Sequence, residues 1–308
     1  MDIRVSHLTK RFGSQAAVDD VSFRAGIGVT GFLGPNGAGK STTMRMVTGF
    51  LEPTAGEVRI GDAAAWPTSP EVRRLVGYLP EHNPLYTELY VREYLRYVAS
   101  LHRVPNARAR VDEVIERVGL TREVNKEIGQ LSKGYRQRVG LAQAIVHDPP
   151  VVILDEPTNG FDPNQLADIR ALVRELGRTK VVLLSTHIMQ EVQALCQRVL
   201  IIDRGRLVAD DPIERLAAVG AKEKLIRVRC ERFGDLQLLR DLSGVQSVRQ
   251  EGNQLTVAVR ADQELRPAIA SLLAADGWGL LELSAPDTDI EGVFQSLTRA
   301  AAPAKPAH

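Results

Sequence analysis

The sequence predicts an α/β fold built on a parallel sheet, with a helical insertion in its middle and a smaller α+β unit after it. Three observations carry that expectation. The apolar runs Val151-Val152-Ile153-Leu154 and Val181-Val182-Leu183-Leu184 flank a helical pattern from Gln165 to Leu176, the sequence form of two buried parallel strands joined by a crossover helix. A glycine-rich run, Gly34-Pro35-Asn36-Gly37-Ala38-Gly39-Lys40-Ser41, lies between an apolar stretch (Val29 to Leu33) and a helical pattern (Ser41 to Phe50). Past about Leu216 the texture changes to strand, helix, two strands, helix and strand, the βαββαβ order of a ferredoxin-like module.

Taken in order, residues 1 to about 60 are β-rich, because Ile3 with Val5 and Val21 with Phe23 alternate as half-buried strands do. A loop-rich stretch around Pro80, Asn83 and Pro84 leads into the insertion, about 85–150. There Tyr94, Leu95, Val98 and Leu101 share one helical face, and Val111, Val114, Ile115 and Val118 repeat the pattern before Gly119, a C-cap. Val199 to Ile202 reads as a third buried strand ending at the turn Asp203-Arg204-Gly205. The first domain is expected to close near residue 220 and the second to span 221–299. The latter has strands at 224–230, 245–250, 254–260 and 279–284 and helices at 234–242 and 262–275. An amphipathic segment, Ile290 to Leu297, precedes an Ala/Pro-rich tail, 300–308, expected to be disordered.

A chain of 308 residues accommodates about two domains. Its net charge of +1 gives no general electrostatic drive toward nucleic acid. The apolar runs fall far short of the roughly 20 residues of a membrane span. The opening Met1-Asp2-Ile3-Arg4 lacks a secretory pattern, so a cytoplasmic protein is expected, with any membrane role supplied by a separate partner. Cys196 and Cys230 have no metal or redox spacing and are expected as buried reduced thiols.

The glycine-rich run fits G-x-x-x-x-G-K-S in the strand–loop–helix setting that a phosphate-binding loop requires. Glycines let the backbone wrap closely around an anion, and the loop amides and helix N-terminus then point at phosphates. Gly34, Pro35, Asn36, Gly37, Ala38, Gly39, Lys40, Ser41 and Thr42 are the candidate nucleotide-binding residues. Lys40 would reach the β- and γ-phosphates, and the Ser41 hydroxyl would ligate Mg²⁺. The strand Val151–Leu154 ends in two acids. Asp155 is placed to hold Mg²⁺ and Glu156 to polarise a water for attack on the γ-phosphate. At the end of any other strand two acids would simply be solvated. After a phosphate-binding loop they complete a hydrolytic set.

Leu131-Ser132-Lys133-Gly134-Tyr135-Arg136-Gln137-Arg138, with the two acids about twenty residues later, resembles the signature of ATP-binding cassette (ABC) proteins. The resemblance covers roughly residues 1 to 216. It implies a P-loop cassette with a β-rich subdomain, a RecA-like core and a helical subdomain. It also implies ATP and Mg²⁺ as ligands, and a head-to-tail pair in which each ATP lies between the loop of one copy and the signature of the other. Ser132 would cap a helix whose amides face the γ-phosphate, with Gly134 beside it; Lys133 and Tyr135 replace the family's commoner Gly and Gln. The resemblance further assigns Phe12 to stacking on adenine, His187 to the γ-phosphate, and Asp162, in Asn159-Gly160-Phe161-Asp162, to the dimer interface. Glu81 stands where the family usually has a Gln that touches Mg²⁺ and links the site to the membrane.

The segment Gly77 to Tyr97 most resembles exporters of the gliding-motility-associated and multidrug type, which pair with a separate membrane permease. The resemblance makes the chain an ATP-hydrolysing exporter subunit, bound to the inner face of the membrane through that permease. The region His82 to Arg103, with Tyr86, Tyr90, Tyr94 and Tyr97, would receive it. Two rivals stand against this reading. A soluble cassette ATPase acting on ribosomes or DNA would carry a second cassette or a long coiled-coil insertion, and this chain has neither. A non-hydrolysing cassette would not need Lys40, Glu156 and His187 together.

Overall fold

The alternating N-terminal segments form β1 (Ile3–Phe12) and β2 (Gln15–Ala25), which pair antiparallel. With β4 (Ala55–Ile60) and β5 (Ala63–Ala64) they make a four-stranded sheet in the order β2-β1-β4-β5. Between them run β3 (Gly28–Leu33) and α1 (Lys40–Val47). Then follow α2 (Pro70–Leu75), β6 (Val76–Leu79) and the helical insertion of α3 (Val91–Leu101), α4 (Ala107–Arg117) and α5 (Lys133–Ile145). The first unit ends with β7 (Val151–Asp155), α6 (Pro163–Gly177), β8 (Val181–Thr186), α7 (Met189–Leu195), β9 (Arg198–Asp203) and β10 (Arg206–Pro212). This computed structural model describes residues 1–161, 163–215, 223–252, 254–260 and 263–284.

The central sheet has the order β10-β9-β3-β8-β7-β6. β6, β7, β8, β3 and β9 are parallel, and β10 closes the edge antiparallel. Every residue of β7 and β8 is buried, as expected for continuous apolar runs covered on both faces. The register pairs Leu33 with Thr186 and Asp155 with Ser185. The ends of β3, β8 and β7 therefore deliver the glycine loop, His187 and the two acids to one edge, where open α/β sheets place their ligands. One core joins the two sheets through Phe23, Phe32, Met44, Ile60, Ile153 and Leu183.

The insertion packs as its pattern predicts, with one departure. Tyr94, Leu95, Val98, Val111, Val114, Ile115 and Val118 are buried, but Leu101 is 62% exposed because it is the last residue of α3. Gly119, at φ +71°, follows the C-cap Val118. His102, just past α3, stacks on His147, just past α5, with ring centroids 3.8 Å apart. Both cysteines are buried and unpaired, and burial pushes the Cys196 thiol up to about 12. No helix among the described residues is long and apolar enough to cross a membrane.

The chain divides at Pro212/Ile213 into two compact units. The second holds β11 (Glu223–Cys230), α8 (Gln237–Arg240), β12 (Val245–Glu251), β13 (Gln254–Arg260), α9 (Arg266–Ala275) and β14 (Leu280–Ser284). Its sheet is antiparallel in the order β12-β13-β11-β14, with its own core of Ile226, Val228, Leu255, Val257, Ile269 and Trp278. Both helices are shorter than the pattern predicts. Asp235 accepts the Gln237 N–H at 2.9 Å in a turn ahead of α8, and Pro267 sits in the first turn of α9 and fixes its start. The segment Ile290 to Leu297 and the tail 300–308 lie outside the described residues.

Candidate functional site

The loop after β3 is shaped by two close approaches. A Cβ on Gly34 would lie 2.4 Å from the Ile202 carbonyl oxygen. One on Gly39, at φ +107°, would lie 2.5 Å from that of Ala17. Only glycine lets the chain pass at both points. The β9–β10 turn supports the loop from outside, since the Gly205 N–H donates to the Ala38 carbonyl at 2.9 Å. At the start of α1, Thr43 donates its hydroxyl to the Gly39 carbonyl at 2.9 Å.

Lys40 points back into the loop. Its ammonium donates to the Gly34 carbonyl at 2.8 Å and the Pro35 carbonyl at 3.2 Å, and lies 3.9 Å from Glu156 Oε1. Burial holds its pKa below the ordinary lysine range, against the pull of Glu156, Asp155 and Glu81. A nearly buried cation set on an arc of loop amides is suited to an anion.

Asp155 and Glu156 are 1% and 4% exposed, so burial raises both carboxyls. The Ser185 and Ser41 hydroxyls pull Asp155 the other way, and the His187 ring does the same for Glu156. His187 Nδ1 lies 2.9 and 3.0 Å from the two Glu156 oxygens. An ionised carboxylate only accepts, so Nδ1 carries the hydrogen and Nε2 is left for another partner. Glu156 adopts φ +50°, a left-handed state that L-residues avoid and that recurs at functional sites.

Lys40 and Glu156 face an open cleft of about 480 Å³, whose lining includes neither Asp155 nor His187. Asn36, Gly37, Gly39, Lys40, Ser41, Thr42, Glu81 and Glu156 line it, as do Gln15, Ala16, Ala17, Arg204 and Gly205. Ser132 and Gly134 are not among the lining residues. Ser132 is exposed and caps α5, accepting the Tyr135 N–H at 3.4 Å. Gly134 is buried, and a Cβ there would lie 2.8 Å from Gln165 Oε1 and 3.2 Å from the Gly160 carbonyl oxygen. A Cβ there would require the Gln165 side chain to swing away and the Gly160 carbonyl to yield slightly. Phe12 is 53% exposed at the end of β1 and beyond the lining, so it is not a core residue. Asp162 lies outside the described residues.

The donor set also fits a small divalent cation. Ser41 hydrogen-bonds the Asp155 carboxylate, and the Glu81 carboxylate sits at the rim. These are hard oxygen donors of the kind Mg²⁺ takes together with substrate phosphates. Among the described residues no group of three or more His, Cys, Asp or Glu could hold a metal ion.

The model of the family described as ABC transporter matches residues 18–159. The bacitracin transport ATP-binding protein BcrA of Bacillus licheniformis is 38% identical over 217 residues, 70% of this chain and 71% of that protein. The chain belongs to the ABC transporter ATP-binding proteins. It is an ATP-binding, ATP-hydrolysing subunit of an ABC exporter. The daunorubicin resistance ATP-binding protein DrrA3 of Streptomyces coeruleorubidus is 33% identical and aligns over 96% of this chain and 95% of its own length. That alignment takes the likeness to the drug-resistance ATPases through the second unit. A solved ATP-binding subunit of an ABC transporter superposes with a TM-score of 0.66 at 28% identity, covering 71% of this chain and 93% of that one.

Of the residues lining the cleft, Asn36, Gly37, Gly39, Lys40, Ser41, Thr42, Glu81 and Glu156 were legible in the sequence, and Gln15 to Ala17, the Arg204 side chain and Gly205 were not. Gln15 to Ala17 and Gly205 carry no functional residue type, and only the turn at Asp203-Arg204-Gly205 marked the second of these stretches.

Proposed function

We propose that two copies of this cassette close head to tail around two MgATP molecules and drive a separate membrane permease of the drug-resistance exporter type. The observation that carries the reading is a division of labour. One cleft collects Lys40, Ser41, Glu81 and Glu156, with His187 behind bonded to Glu156, while Ser132, exposed at its helix N-terminus, is not among its lining residues. A second copy would bring Ser132 and Gly134 to the γ-phosphate and make the pair isologous. Asp162 is read as an interface residue and Phe12 as the adenine platform. An exposed aromatic at the end of β1 supports the latter, and base–aromatic stacking contributes about 1–3 kcal/mol.

Glu156 polarises the attacking water, a role worth about 10²–10⁴ in rate. His187 steadies that carboxylate and offers Nε2 toward the γ-phosphate. Ser41, Asp155 and Glu81 would hold Mg²⁺, which when bound neutralises phosphate charge. Glu81 keeps the metal contact of the usual Gln while adding a negative charge at the rim. Tyr86, Tyr90 and Tyr97, between 44% and 50% exposed, support a permease-docking surface. Tyr94 is withdrawn from that surface, buried and bonded to Gln143. Docking there would hold the subunit at the cytoplasmic face of the membrane, with no nucleic-acid partner.

We read the second unit as ferredoxin-like, which its βαββαβ order and its β12-β13-β11-β14 sheet support, and assign it structural support of the cassette. The likeness of Gly77–Tyr97 to gliding-associated subunits stays one of sequence and carries no motility role. The cargo is selected in the permease. Size-exclusion chromatography of Glu156→Gln in saturating MgATP tests the mechanism. The variant is expected as a stable dimer with hydrolysis cut about 10²–10⁴-fold to a residual rate. A variant that stays monomeric beside a normally hydrolysing wild type would sink the closed-pair mechanism.

A further inference from the structure

Ser185 is the penultimate residue of the fully buried strand β8. Its side chain has no exposure, so a hydroxyl there needs a use. The register sets it beside Asp155 on the neighbouring strand. Its Oγ donates to Asp155 Oδ1 and accepts the Glu156 N–H at 3.2 Å. The same N–H reaches the Ser185 carbonyl at 3.1 Å. The Glu156 N–H can only donate, so the hydroxyl hydrogen is committed to Asp155. One buried hydroxyl thus spends its donor and an acceptor site on two consecutive acids. It does so at the residue whose backbone is held at φ +50°. That backbone state aims the Glu156 carboxylate at His187 Nδ1, 2.9 Å away, and Lys40 Nζ, 3.9 Å away.

We infer that Ser185 is a positioning residue for hydrolysis, fixing Asp155 and Glu156 relative to each other and aiming Glu156 through its backbone. The inference rests on the reading of those two acids given above. The nucleotide is gripped elsewhere, by Lys40 and the loop amides, so loss of the hydroxyl should affect turnover and spare binding.

The test uses the full chain as Ser185→Ala, Ser185→Thr, Glu156→Gln and the double variant Ser185→Ala/Glu156→Gln. ATP KM, single-turnover kcat, thermal midpoint and Mn²⁺ retention with ATP by electron paramagnetic resonance are compared. Ser185→Ala should lower kcat by about ten- to a hundredfold, the penalty of a mis-set reacting group, with KM within about twofold. It should retain Mn²⁺ several-fold less well, and Ser185→Thr, which restores the hydroxyl, should recover most of both losses. Added to Glu156→Gln, it should cost less than about twofold in rate, because residues acting as a unit are not additive. Should the Ala variant not fold, Ser185→Cys, with a weak hydrogen-bonding thiol, reads the same loss. A normal kcat in Ser185→Ala beside a Glu156→Gln at its residual rate overturns this inference alone. An equal fold-loss in both backgrounds also overturns it. A Glu156→Gln enzyme with wild-type kcat overturns the reading of Glu156 and this inference with it.

Discussion

Acidification should loosen the joint between the helical insertion and the core, and replacing His147 should remove much of that sensitivity. His147 Nε2 lies 3.2 Å from the Val76 carbonyl at the head of β6, so that nitrogen carries the hydrogen. Its Nδ1 is buried without a hydrogen-bond partner, and the His102 ring covers its face at 3.8 Å. A proton added at Nδ1 would meet no acceptor. Burial is the main cause that pushes His147 from 6.5 down to about 4, with His102 and Lys180 adding to it and the Val76 carbonyl and Asp148 opposing. Burial, with Arg74, lowers His102 as well.

The sign follows from which state binds the proton. Above pH 6.5 neither does. As the pH falls below 6.5 the unfolded chain is protonated and the native ring is not until about pH 4, so stability drops across that window. At about 1.36 kcal/mol per pH unit the loss is capped near 3 kcal/mol and reaches about 2 kcal/mol at pH 5. His147→Gln keeps a donor for Val76 and lacks the titration. Urea denaturation of both proteins at pH 7.5 and pH 5 isolates the difference, since contributions from other carboxylates cancel between them. The wild type should lose about 2 kcal/mol more than the variant, or about 4–8 °C in midpoint for a unit of this size. Equal losses in the two proteins would refute the argument.

Two further outcomes follow from the geometry. Gly77→Ala would place a Cβ 1.9 Å from the Ala144 carbonyl oxygen, a backbone clash that no side-chain rotation relieves. A loss of about 3 kcal/mol in urea unfolding is expected, and an unchanged midpoint would contradict it. Glu81→Gln removes a carboxylate from the rim of the cleft. ATPase activity titrated with Mg²⁺ should then need several-fold more metal for half-saturation, and superimposable curves would remove Glu81 from the metal site.

The glycine loop, the paired acids and the cap at Ser132 were legible because phosphate chemistry restricts residue type at fixed spacing. The parallel strands were legible because burial on both faces leaves continuous β-branched runs. What stayed hidden is set by register and backbone. Ser185 reads as one polar residue in an apolar strand until the pairing puts it beside Asp155. Gly77 looks like an ordinary glycine until another backbone approaches within 3 Å of where a Cβ would stand. The stack of His102 on His147 joins residues just past the ends of two helices of the insertion, and no local pattern announces it. Leu101 obeyed the helical period and is still exposed, because a period gives a face and says nothing about where the helix ends.

Lys40 bonded to the carbonyls of its own loop has a consequence for the turnover cycle. Those bonds occupy the ammonium within its own loop, so a phosphate that it came to hold would be taken up by exchange, two lysine–carbonyl bonds given up as phosphate contacts formed. The net grip is weaker than the count of contacts suggests, since each charge-assisted bond surrendered offsets about 1.5–3 kcal/mol. The same exchange run backwards eases the departure of spent nucleotide, because the ammonium has a ready place to return to. A subunit that must reset after every stroke gains from a lysine that is never stranded.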